Sequence, residues 1–143
     1  MSMKELTAWV MTISAVAVSG WLVWELSRTG FAATPQAAAM QALWAIGYTI
    51  AFNIVGVIVG TILVAIVTRN ELKDEKSDER DKLVAGMGMR NGYFVLSVSV
   101  GLLLVAQALG WVDAVFMPYG LFFASMLAGG VFAVSQVIFY RVG

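Results

Sequence analysis

The chain has 143 residues, 60% hydrophobic and 13% charged, with nine Lys and Arg against nine Asp and Glu and a mean hydropathy of +0.84. That composition belongs to an integral membrane protein, and zero formal charge lacks the basic surplus that direct nucleic-acid binding needs. With no Cys and no His, disulfides, thiolate and imidazole metal sites, the usual haem ligand and a cysteine nucleophile are all excluded.

The first apolar run, Leu6–Leu26, has 21 residues. As a helix it spans about 31 Å at 1.5 Å per residue, which matches the hydrocarbon core. It is longer than a signal-peptide core, carries Trp9, Met11, Trp21 and Trp24, and lacks a small-residue cleavage site. It reads as a retained membrane helix. Glu25 at its far end lies three residues from Arg28, and an interfacial ion pair is expected. The joint 27–36 follows, with Gly30 and with Pro35 suited to the first turn of the next helix.

The second span falls within 37–68, too long to lie in hydrocarbon throughout, so its start, AAAMQALW, reads as interfacial or tilted. Asn53 sits near its middle. An amide in hydrocarbon must find a partner, so Asn53 is expected to face another helix through a structural hydrogen bond worth roughly 0.6–2 kcal/mol. Gly56 and Gly60 follow at i and i+4, a strip on which two backbones can approach closely.

A charged joint over 69–82 breaks the apolar pattern with ELKDEKSDERDKL (71–83). Asp78 can cap a helix with Asp81 three residues on, a carboxylate variant of the capping box. Glu79 and Asp81 then fall in the first turn, where the helix dipole favours anions, and Asp78 to Lys82 is a favourable i,i+4 pair. A third helix over 78–109 is therefore expected to start in the cytoplasm and run unbroken into an apolar core at 93–109. Its polar part would project about 20 Å at 1.5 Å per residue. The bland reading of this segment is a solvated helix start. The sharper one is a docking surface for a cytoplasmic partner, carried by Asp78, Glu79, Arg80, Asp81 and Arg90. A metal site from Asp74, Asp78 and Asp81 lacks the central Gly and distal Glu of a calcium loop, so no metal is expected.

Gly88 and Gly92 repeat the close-approach spacing in the third helix. Beyond it, Gly110 is suited to a C-terminal cap and Pro118 to a helix start, and the fourth span runs over 118–140. It carries Ser125, Gly129 and Ala133 at four-residue spacing. The Gly56/Gly60 and Ser125/Gly129 strips pack helices within the protomer or form a homodimer seam.

Eight of the nine cations fall on one side of this arrangement, and Arg28 alone falls on the other. The positive-inside rule then puts both termini and the charged joint in the cytoplasm. The expectation is a single all-α transmembrane domain over 1–143: a four-helix bundle, N-in and C-in, in a bacterial inner membrane, its third helix extending into the cytoplasm.

The run SDERDKL (77–83), followed by MRNGYFVLSVSVGLL (89–103), resembles the acidic-basic signature of a family of small bacterial membrane proteins of unknown function. In that family the motif also opens the third of four helices. Some relatives are thought to accompany small DNA-binding regulators, so the resemblance implies a regulatory partner and supplies no catalytic residue.

No ionisable residue lies deep in a span, and no nucleophile–base arrangement or cofactor motif is present, so an enzyme is not expected. The leading expectation is a non-enzymatic membrane protein that binds or regulates a cytoplasmic partner through 71–90. One alternative is a small transporter or channel subunit whose dimer encloses a path lined by Asn53, Thr61, Ser97 and Gln136. The other is a lipid- or quinone-contacting subunit of a larger complex, suggested by abundant Trp, Phe and Met.

Overall fold

Glycine, proline and threonine punctuate the chain where its backbone turns. The computed structural model describes residues 3–68 and 79–142. Every regular element among them is helical: α1 (Met3–Thr29), α2 (Pro35–Thr68), α3 (Glu79–Ala108), a 3-10 turn (Ala114–Phe116) and α4 (Met117–Val142). Gly30 ends α1 at φ 78°, its N–H donating to the Leu26 carbonyl at 2.9 Å. Thr34 opens α2: its hydroxyl accepts from the Ala37 N–H at 3.2 Å while Pro35 fills the first helical position, where its missing N–H costs nothing. Gly110 closes α3 at φ 72°. Its N–H donates to Gln107 at 3.0 Å and that of Trp111 to Ala106 at 2.9 Å, the paired bonds of a Schellman cap.

All four helices are long and apolar enough to cross a membrane. Large side chains on the outside, such as Ile54, Ile58, Ile62 and Ile66 of α2, are exposed in a row that only lipid or another protein would cover. These are the dimensions and surface of a multi-pass membrane protein. Each helix outruns its apolar stretch, because polar ends such as Lys4-Glu5 and Arg28-Thr29 continue the helical hydrogen bonding beyond the hydrocarbon.

The helices are not equal partners. α4 packs most extensively on α3, then on α1, and less on α2, while α2 and α3 share no extensive interface. Since lipid is as apolar as leucine, close backbone approach and polar bonds hold such helices together. The main core lies at the end opposite the termini, where Val18, Leu22 and Leu26 meet Ala38, Ala42, Ala45, Tyr119 and Phe122. Ala38 and Ala45 are fully buried. The stretch AAAMQALW therefore carries a packing strip: Ala38 and Ala42, with Ala45 just beyond, share at i, i+4 and i+7 the face that lets α2 approach α1 and α4. Tyr119 adds a polar tie there. Its hydroxyl donates to Gln41 Oε1 and accepts from the Ala32 N–H at 3.2 Å.

Toward the other end, α3 runs beside its neighbours as far as its first turn. Asp81 is level with Lys4 of α1 and Tyr140 of α4, and Val84 is buried. The cause is Gly88 and Gly92. A Cβ at Gly88 would lie 3.1 Å from the Phe132 carbonyl, and one at Gly92 would lie 3.0 Å from that of Ala128. Two glycines thus let α3 run against α4 backbone to backbone down to its first turn.

Candidate functional site

The charges of the chain's two ends meet the first turn of α3. Lys4 Nζ donates to Asp81 Oδ2 at 2.6 Å, and the Tyr140 hydroxyl donates to Asp81 Oδ1 at 3.0 Å. One carboxylate thereby joins three helices across sequence separations of 77 and 59 residues. Beside it, Arg141 Nε lies 3.7 Å from Glu5 Oε1, and the Arg141 guanidinium sits 5.6 Å from the centre of the Trp9 ring. The Lys4 and Asp81 side chains are 34% and 22% exposed, enough shielding to make this pair more than a surface contact. Three helical stripes carry it: Lys4, Thr7 and Met11 on α1, Asp81 and Ala85 on α3, and Phe132, Gln136 and Tyr140 on α4. They wall a groove of about 600 Å³ with a charged mouth and an apolar floor.

Of the five docking residues read from the sequence, Asp78 and the side chain of Arg80 lie outside the described residues. Asp74 and the capping box and ion pair built on Asp78 fall there too. Asp81 is turned inward on Lys4 and Tyr140, whereas Glu79, Lys82 and Arg90 are exposed. No group of three or more metal-binding side chains occurs among the described residues.

The packing residues sort by helix pair. Asn53 Nδ2 donates to Ser14 Oγ of α1 at 2.9 Å and to the Thr49 carbonyl at 2.8 Å, and its Oδ1 is buried with no partner among the described residues. Gly56 and Gly60 face Val10 and Leu6 of α1, at 2.7 and 3.0 Å from an added Cβ, while Gly88 and Gly92 face α4. Ser125 is exposed and bonds its own helix at the Leu121 carbonyl, and a Cβ on Gly129 would meet nothing within 4 Å. Ser125 and Gly129 thus make no close approach within the protomer, whereas Ala133, the next residue of the strip, is fully buried. The four polar residues considered for a transport path diverge. Asn53 and Thr61 turn to Ser14 and Met3 of α1, Ser97 is exposed on α3, and Gln136 lines the groove at the terminal end.

Sequence reasoning missed Lys4 and Tyr140 as partners of Asp81, and nothing in local spacing could have revealed them. It also missed Asn91, which donates to Ser135 of α4 at 3.1 Å. The expected Glu25–Arg28 pair is absent: the Arg28 guanidinium stacks 4.7 Å from the centre of the Trp24 ring instead.

Fold and surface define the class as an all-helical protein with four membrane-length apolar helices. No protein-family model, curated protein or solved structure matches the chain.

Proposed function

We propose that this is a non-enzymatic protein of a bacterial inner membrane that docks a cytoplasmic regulatory partner on the start of α3. In this reading it is a four-helix bundle with both termini in the cytoplasm, and it belongs to the family that its SDERDKL run resembles. Membrane-buried surfaces serve helix packing, and recognition is left to the polar end.

One observation carries the reading. Apart from Glu25, Arg28 and Asp113, every described Asp, Glu, Lys and Arg belongs to the terminal ends or to the first twelve residues of α3. The Asp81 tie then gives this polar surface a fixed geometry, since α3's first turn is held to both α1 and α4. A surface held rigid before binding loses less conformational freedom when a partner arrives. Asp81 accordingly serves as the anchor of the platform, and Glu79, Arg80 and Arg90 are its contact charges.

The test is a charge reversal, Glu79→Lys with Arg80→Glu and Arg90→Glu, in the full-length protein recovered from native membranes in mild detergent. A soluble protein that co-purifies with the wild type should be lost, with the amount of membrane-inserted protein unchanged. Retention of every co-purifying protein would refute the docking role.

A further inference from the structure

We propose that a crevice between α1 and α2, at the end opposite the termini, binds a singly charged cationic amphiphile of the alkyl quaternary ammonium type. This site is independent of the docking surface, and each can fail without the other.

Three aromatic rings and one carboxylate converge there. Trp21 of α1 meets Tyr48 of α2 edge-on, with centroids 5.0 Å apart and planes at 82°, and Trp44 lies 6.3 Å from Tyr48 at 32°. Glu25, one turn beyond Trp21 on the same face, joins these rings around a cavity of about 290 Å³. A second cavity of about 380 Å³ shares Trp21 and Tyr48 and continues past Ala17, Val18 and Phe52. From Glu25 to Ala17 the crevice follows eight residues of α1, about 12 Å at 1.5 Å per residue. It has a polar aromatic mouth and an apolar tail.

The charge at the mouth is uncompensated. Arg28, the one cation at this end, is engaged on Trp24, and among the described residues the Glu25 carboxylate makes no hydrogen bond or ion pair. Among the described residues no cation lines either cavity. A half-buried anion among three aromatic rings attracts positive charge directly, and a cation seated over a ring face gains from the ring quadrupole as well. A quaternary ammonium suits it because it needs no hydrogen-bond acceptors, whereas Ca²⁺ would need six or more oxygen ligands that this crevice does not offer. The apolar extension takes the alkyl chain. A phospholipid headgroup is disfavoured, because its phosphate would meet Glu25 with no lining cation to receive it.

Full-length protein in dodecyl maltoside, titrated calorimetrically with dodecyltrimethylammonium, should show saturable one-to-one binding above the micelle-only signal. Glu25→Gln and Trp44→Leu should each weaken it by about tenfold or more, since each removes one of the two attractions. Trp44 is 62% exposed and Glu25 is unpaired among the described residues, so both variants should keep the wild-type melting temperature, and Trp111→Leu in the α3–α4 joint, outside the lining of both cavities, should bind normally. Dodecylphosphocholine, with the same tail and head but an added phosphate, should compete far more weakly. Absence of saturable binding, unchanged affinity in Glu25→Gln, or equal competition by dodecylphosphocholine would overturn the proposal, the last assigning the crevice to phospholipid.

Discussion

A single added methyl group separates two glycines that look alike in the sequence. At Gly56 the new carbon would lie 2.7 Å from Val10 Cγ1, on a side chain whose β-branch is stiff within a helix, so it has no easy way to yield. Gly56→Ala should destabilise the protein by about 1–3 kcal/mol, the usual cost of overpacking. At Gly129 the same change meets open space and should gain up to about 1 kcal/mol of helix propensity. Thermal or denaturant unfolding in detergent measures both, and equal effects would deny that Gly56 marks a close crossing. Asn53 belongs at this scale too. Its amide reaches Ser14, but its Oδ1 is left unpaired, so the net value of the group is small. Asn53→Leu should cost no more than about 2 kcal/mol in the same assay.

Helix ends are set by local chemistry, and their stability effects should be local as well. Gly110 holds a φ of 72° and a Cβ there would meet only open space, so Gly110→Ala should cost about 1 kcal/mol from backbone strain alone. Thr34→Ala removes the hydroxyl that caps α2 and should cost a similar amount, about 1 kcal/mol. Because the two caps share no hydrogen-bond partner, the double variant should show the sum of the two losses. The caps were legible: Gly30, Pro35, Gly110 and Pro118 mark the joints with residue types that only a few backbone conformations favour. The packing role of the α2 alanines was not, since AAAMQALW reads as interfacial or tilted until α1 and α4 are beside it and Ala38, Ala42 and Ala45 are seen buried.

Across the whole molecule, the Asp81 tie links the helices of both termini to the start of α3. Lys4→Glu or Asp81→Lys alone should each lower the melting temperature, and the exchanged pair Lys4→Glu/Asp81→Lys should recover part of the loss. A coupling of about 1 kcal/mol is expected for this partly shielded pair. Failure of the exchange to recover anything would reduce the pairing to coincidence. Sidedness is testable on the same scale, because the chain contains no native thiol. Ser77→Cys should be labelled only from the cytoplasmic side and Asp113→Cys only from the opposite side. The reverse pattern would remove the proposed docking surface from the cytoplasm and so refute the proposed role.

Hydropathy and punctuation alone determined that the chain makes four apolar helices and where the described joints after α1 and α3 fall, because a membrane-length helix needs little more than a long apolar run with a cap at each end. The tertiary structure decided which face of each helix meets which neighbour. It turned Asp81 inward, left Glu25 without Arg28, set Gly56 against Val10 and kept Gly129 open. Such choices rest on interactions between residues tens of positions apart, and local spacing carries no record of them.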